Sequence, residues 1–179
     1  MYFYEPAKGH GLAHDPLNAI VGPRPIGWIS SRSAHGVRNL APYSFFTLFN
    51  YRPPIIGFSS VGQKDSVANI LERPEFVWNL VTRELAEAMN ATAAMAHADV
   101  DEFDLAGIEA APSLRVSPDR VAGSPVQFEC RHSQTLQLTT ADGAPIDQWM
   151  IFGEVVGVHI DPALIEDGVY QTARARPVL

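Results

Sequence analysis

The chain has 179 residues and a mass of 19.6 kDa, 46% of it hydrophobic and 18% charged, which is the composition of one globular domain and excludes wholesale disorder. Thirteen basic against 20 acidic residues give a net charge of −7, and the only lysines are Lys8 and Lys64, so a nucleic-acid binder or a reader of anionic membrane surfaces is not expected. The single cysteine, Cys130, excludes an internal disulfide framework, and no apolar run reaches the length of a membrane-spanning helix.

The N-terminus, Met1-Tyr2-Phe3-Tyr4-Glu5-Pro6, lacks the basic and apolar regions of a secretory leader, and a cytoplasmic protein is the expectation. No internal repeat, low-complexity tract or long linker divides the chain, so residues 1–179 read as a single domain with 1–22 as an N-terminal extension. Residues 5–25 are rich in Pro and Gly turns. Ile26–Ser31 then reads as a strand, Ser33-Ala34-His35-Gly36 as a hairpin loop and Val37–Ala41 as its return, closed by Pro42. Residues 43–51 crowd Tyr43, Phe45, Phe46, Phe49 and Tyr51 into one strand with an irregular start. Pro53-Pro54 ends it, and Ile55–Ser60 is the next strand.

After the polar loop Val61–Lys64, Asp65 reads as the N-cap of a helix carrying Val67, Ile70 and Leu71 at helical spacing and ended by Pro74. Phe76–Val81 is a strand, and a second helix is expected over Arg83–Ala96, with Leu85, Met89 and Ala93 on one stripe. Residues 97–124 read as irregular, and Asp99, Asp101, Glu102 and Asp104 within them as a solvated acidic loop, because the calcium-loop spacing fails. Val126–Thr139 alternates, with Val126, Phe128, Cys130, His132, Leu136 and Leu138 on one face and Gln127, Glu129 and Arg131 on a wet face. A turn at Ala141–Pro145 leads to the partner strand Asp147–Asp161, and a short helix follows from Pro162. Strands follow strands through turns, which predicts a mainly β, antiparallel, barrel-like sheet with helical insertions.

Two stretches carry candidate chemistry. In residues 55–71 a buried strand ends in Ser59-Ser60, Lys64 precedes a helix, and that helix opens with Asp65-Ser66. Free N–H groups at a helix start, a lysine and serine hydroxyls together suit a phosphate. The bland alternative is a capped helix beside a solvated lysine. In residues 30–45, Ser30, Ser31, Asn39, Leu40, Ala41, Pro42 and Ser44 place short polar groups between apolar strands, which suits either a flat heteroaromatic ligand or a plain turn before a core strand. Cys130 and His132 read as structural residues on an apolar face. The histidines have no metal-ligand spacing, and Gly9, Gly11 and His14 fail the dinucleotide fingerprint, so neither a metal site nor a Rossmann domain is expected.

The ordered set Pro23-Arg24-Pro25-Ile26-Gly27-Trp28-Ile29-Ser30-Ser31, Asn39-Leu40-Ala41-Pro42-Tyr43-Ser44-Phe45-Phe46, Pro53-Pro54, Lys64-Asp65-Ser66 with Asn69-Ile70, Phe76 with Asn79-Leu80, and Gly153-Glu154-Val155 resembles the flavin-reductase-like family of FMN-binding split-barrel proteins. The resemblance runs from about residue 20 to residue 161 and rests on the order of motifs that are individually weak. It implies a six-stranded antiparallel split β-barrel, a homodimer, FMN rather than FAD, and electron transfer from a donor through the flavin to an acceptor, with a monooxygenase as one partner. Carried over by position, Ser30, Ser31, Asn39, Leu40, Ala41, Pro42 and Ser44 would line the ring and ribityl chain. Ser59, Ser60, Lys64, Asp65 and Ser66 would hold the phosphate end. No catalytic acid or base is assigned.

Two departures bear on activity. Many relatives carry Gly-Asp-His, associated with the nicotinamide of NAD(P)H, where this chain has Ile146-Asp147-Gln148-Trp149. Relatives also continue with an Arg-Leu-Gly-Gly type segment near where this chain stops at Arg176-Pro177-Val178-Leu179, so a missing C-terminal element is expected. The alternative to a reductase is an FMN-binding electron carrier or flavin store without turnover of its own.

Overall fold

In the computed structural model, which describes residues 1–94 and 96–179, the N-terminal segment runs through a short helix α1 (Leu17–Ile20) before the sheet begins. The strands are β1 (Gly27–Arg32), β2 (Arg38–Tyr43), β3 (Phe46–Tyr51), β4 (Pro54–Val61), β5 (Glu75–Asn79), two short strands β6 (Ala110–Ala111) and β7 (Arg120–Val121), and the long β8 (Val126–Thr139) and β9 (Pro145–Ile160). Seven of them form one antiparallel sheet in the order β2-β1-β5-β8-β9-β4-β3. The two edges, β2 and β3, are joined by Ser44 and Phe45 alone. Tyr43 and Phe46 are three Cα steps apart, at most about 11 Å, so the sheet must curl until its edges nearly meet. The sheet has seven strands, not the six that the family resemblance implies; the strands read along the sequence already include both β2 and β3, and Tyr43, read with the second of them, ends β2 instead. A hairpin β10 (Ile165–Glu166) and β11 (Val169–Tyr170) and helix α5 (Thr172–Ala175) complete the chain.

Curling is built into the sequence. Strand β8 shifts register against β9 between Glu129 and Cys130, between His132 and Gln134, and between Gln137 and Thr139. Such bulges bend a strand and increase its twist. Gly153 lies where the bend brings two strands together; a Cβ there would overlap the Phe76 ring. The interior holds Ile29, Phe58, Phe76 and Ile151 from the sheet, with Val67 and Ile70 of helix α2 (Asp65–Glu72) plugging one end. A second core lies outside β1 and β2, where Trp28, Leu40, Val81, Phe103 and Val121 pack together.

That second core exists because residues 83–124 cover the outer face. A 3₁₀ turn (Arg83–Leu85) runs into α3 (Ala86–Ala91). The helix expected to reach Ala96 stops at Ala91; Met95 lies outside the described residues. The physical reason is Thr92, whose hydroxyl donates back to the Met89 carbonyl at 2.7 Å and accepts from the Trp28 indole at 3.0 Å. The acidic stretch expected to be solvated is instead partly structural. Asp101 caps α4 (Glu102–Leu105) by accepting from the Phe103 and Asp104 amides, Arg38 bonds both Asp101 and Asp104, and Glu102 and Phe103 are buried.

The expected wet face of β8 is also corrected. Gln127 and Glu129 are buried, because the 110–121 excursion folds over them. Glu129 accepts from the amides of Leu114 at 2.9 Å, Arg115 at 2.5 Å and Val116 at 3.2 Å, and pairs with His159 Nε2 at 2.5 Å. Burial pushes its carboxyl up, but the Leu114 amide, His159 and the Arg115 amide outweigh that and hold it below the ordinary value. Among the described residues no helix is long and apolar enough to cross a membrane.

Candidate functional site

Helix α2 begins where strand β4 has run out and Gly62, at a φ of +74°, turns the chain back; its amide donates to the Asp147 carbonyl at 3.0 Å. The N-cap is Lys64, not Asp65 as expected, and Asp65 is the first helical residue. A lysine side chain cannot accept a bond from an amide, and among the described residues no side chain caps this helix. The positive end of the helix therefore lies open, beside a Lys64 ammonium that is exposed and has no ion-pair partner among the described residues. Backbone N–H groups at such a helix start point into the space in front of it.

The open end faces a cavity of about 340 Å³. Its walls come from β2 (Asn39, Ala41, Pro42, Tyr43), the start of α2 (Lys64, Asp65, Ser66), the segment after α3 (Thr92, Ala93, Ala94, Ala96) and Glu102. Beneath it runs a buried polar seam. Asn39 Nδ2 donates to Ser66 Oγ at 2.8 Å, and Asn69 Nδ2 donates to Ser31 Oγ at 3.2 Å. Burial raises the Tyr43 phenol above its ordinary value, while hydrogen bonding to the Ser66 and Ser60 side chains pulls the other way. Burial likewise raises the Glu102 carboxyl, whose Oε2 accepts from the Leu40 amide at 3.2 Å.

The structure therefore gathers six of the twelve sequence-predicted site residues around one cavity: Asn39, Ala41, Pro42, Lys64, Asp65 and Ser66. Ser31 lies just below, under Asn69. Ser60 is buried in the barrel wall and donates to the Gly62 carbonyl at 2.9 Å. Ser30 and Leu40 are not brought to this cavity. They face the second core, where the Ser30 hydroxyl donates to the Asp119 carbonyl at 2.5 Å and Leu40 packs beside Trp28. Ser44 is exposed in the β2–β3 connection, its carbonyl accepting from Arg24 Nε at 3.0 Å.

Ser59 points to a second, more apolar cavity of about 530 Å³ on the other side of that connection. Phe45, Phe46, Phe49, Leu138 and Met150 form its walls, with Arg24 and Gln148 as polar groups. The Gln148 amide donates to the Ser59 hydroxyl. Sequence reading missed Tyr43, Thr92 and Glu102 as cavity residues. For Glu102 the available signal was the Asp101 cap followed by a buried Phe103, which marks a helix start rather than a solvated loop. Cys130 is fully buried, and burial pushes its thiol well above the ordinary value, as befits a core residue.

Comparison with known proteins gives a consistent picture. The sequence model of the flavin reductase like domain matches residues 22–178. An uncharacterized protein of Aquifex aeolicus is 33% identical over 155 residues, covering 84% of this chain and 76% of its own length. One from Deinococcus radiodurans is 37% identical over 153 residues, covering 80% of this chain and 64% of its own length. Among solved structures, nitrilotriacetate monooxygenase component B from Bacillus cereus superposes with a TM-score of 0.88 at 27% identity, covering 99% of this chain and 90% of that one. The 2-nitrobenzoate 2-nitroreductase NbaA of Pseudomonas fluorescens gives 0.74 at 29% identity, covering 84% and 73%. A split-barrel protein of Shewanella frigidimarina gives 0.81 at 20% identity, covering 90% and 79%, a likeness of fold alone.

Proposed function

The chain belongs to the flavin reductase-like family, and we propose that it is an FMN-dependent oxidoreductase that holds the flavin phosphate at the start of α2 and passes electrons through the ring. The single observation carrying this is the open helix end: a lysine at the N-cap, uncapped amides behind it, and a cavity in front. Such a site favours an anion twice over, through directed N–H groups and through the helix dipole. A walled cavity suits a terminal phosphate monoester, which is why FMN is proposed rather than FAD.

When bound, the flavin supplies the redox chemistry. The residues of this chain bind and orient it. Lys64 and the α2 amides hold the phosphate. The Asn39–Ser66 and Asn69–Ser31 bonds fix the floor, so that the donors need no reorganisation on binding. Pro42 and Tyr43 stiffen the wall that separates this cavity from the apolar one. The apolar cavity, with its phenylalanines, offers the surface on which the electron donor or acceptor rests.

NAD(P)H is the proposed donor and a flavin-using monooxygenase a proposed acceptor. A homodimer is proposed from the β3 edge, where Leu48, Phe49 and Tyr51 are exposed together. The second reading, an FMN carrier without turnover, is favoured by one observation. Gln148 stands where the nicotinamide-associated histidine of relatives would be, and its amide is already engaged by Ser59.

The test is to load the purified protein with riboflavin phosphate, confirm a bound chromophore, and add NADH or NADPH without oxygen. Bleaching by either, with sustained oxidation when free flavin is supplied, supports the reductase. A bound flavin that bleaches only with dithionite leaves the carrier. Failure to bind riboflavin phosphate refutes both.

A further inference from the structure

Glu102 is only 6% exposed, yet no arginine or lysine among the described residues pairs with it. From another element its carboxylate accepts a hydrogen bond from the Leu40 amide. It lines the same cavity as Lys64, Asp65 and Ser66. A buried carboxylate without a cation is costly, and here it shares a cavity built for an anion. We propose that Glu102 is the proton-accepting residue of this ligand site: it takes up one proton from solvent as a phosphate monoester dianion enters the cavity, and it is held there as the neutral carboxyl. This rests on the phosphate reading of the cavity given above.

The charges around Glu102 single it out. From α2 the nearby charge is Asp65, while Lys64 lines the same cavity without pairing with Glu102. From β2 its neighbour is Tyr43, which burial keeps neutral, and Arg38 of that strand is committed to Asp101 and Asp104. From its own helix start it faces Asp101. Burial already raises its carboxyl above the ordinary value, the amides of Glu102 and Leu40 oppose that, and the charges of Asp65 and Asp101 add to the rise. A dianion in the cavity adds a further like charge, which disfavours an ionised Glu102.

The consequence is a pH dependence opposite in sign to that of the ligand. Phosphate esters lose their second proton near a pKa of about 6, which strengthens binding as pH rises. Glu102 weakens it: above its ligand-free pKa, affinity falls by up to roughly tenfold per pH unit until the pKa in the complex is passed. Glu102→Gln keeps a side-chain carbonyl for the Leu40 amide and removes the titration.

The experiment is calorimetric titration of riboflavin phosphate into wild type and E102Q, at neutral to mildly alkaline pH, in buffers of different ionisation enthalpy. The expected result is a proton uptake in wild type that exceeds E102Q by a value approaching one per site. Wild-type affinity should also decline toward alkaline pH while that of E102Q stays flat, so that the variant binds more tightly there. Equal proton numbers and parallel pH profiles overturn the inference while leaving the phosphate site standing. Absence of binding to either protein overturns the phosphate reading and this inference with it. Should E102Q fail to fold, wild type decides alone: net proton release, or none, on binding at mildly alkaline pH overturns the proposal.

Discussion

Replacing Lys64 by alanine isolates the charge at the mouth of the cavity. The side chain is exposed, makes no ion pair among the described residues and caps nothing, so its loss should leave the fold unchanged to within about 0.5 kcal/mol. A hydrogen bond to a charged group contributes about 1.5–3 kcal/mol, and solvent exposure argues for the lower half of that range. At about 1.4 kcal/mol per factor of ten, the affinity for riboflavin phosphate should fall roughly 10- to 30-fold. The helix amides remain, so binding should be weakened and not abolished. Titration followed by flavin fluorescence gives both constants, and riboflavin, which lacks the phosphate, is the internal control. Its affinity should not change. The difference between wild type and K64A should also shrink in high salt, as screening of an exposed charge requires. An unchanged constant for riboflavin phosphate, or an equal loss for riboflavin, would refute the placement of the phosphate at α2.

Three further outcomes test the supports of the site. Glu129→Gln removes the charge that organises the amides of Leu114, Arg115 and Val116, and should destabilise the protein by about 1.5–3 kcal/mol near neutral pH. Because the folded carboxyl lies below its ordinary value of 4.5, that stabilisation is present above 4.5 and is lost as pH falls through the lower folded value; urea unfolding of both proteins should therefore converge in acid and diverge above about pH 5. Gly153→Ala forces a methyl into the Phe76 ring and to within 3.2 Å of the Arg131 carbonyl, an overpacking cost of about 1–3 kcal/mol that thermal melting should register as a drop of roughly 2–10 °C. Thr92→Val strands the buried Trp28 indole N–H, at a cost of about 1–3 kcal/mol in denaturant unfolding, and should also weaken riboflavin phosphate binding because Thr92 is a cavity wall.

Legibility in the sequence followed the range of the interactions. Strands β1, β4 and β5 and the helix after Lys64 could be read because turn residues bound them and their apolar residues repeat locally. Lys64, Asp65 and Ser66 could be read because a helix start concentrates its chemistry in three adjacent residues. What failed was whatever depended on a distant cover. Gln127 and Glu129 alternate as a solvated face should, yet the 110–121 excursion buries them. Ser30 and Ser31 looked equivalent as neighbours in one polar motif. A strand sends them to opposite faces, and which face meets the cavity is decided by α2 on one side and by Asp119 on the other. The boundary between β2 and β3 was misplaced by a few residues because nothing local marks Ser44 and Phe45 as the corner where one edge of the sheet becomes the other.

The same excursion explains why the site and the second core are inseparable. The Trp28 indole and Thr92 hydroxyl end α3 and place the segment that follows along the cavity. Arg38 fixes Asp101, Asp101 caps α4, and α4 presents Glu102 on one side while burying Phe103 on the other. Neighbouring residues at the start of one short helix thus join the cavity to the core. A change that loosens Phe103 would therefore shift Glu102 as well, and with it the charge that an entering anion meets. In this fold the curled sheet supplies the floor of the cavity, whereas its charge balance is set by the segment folded over the outside.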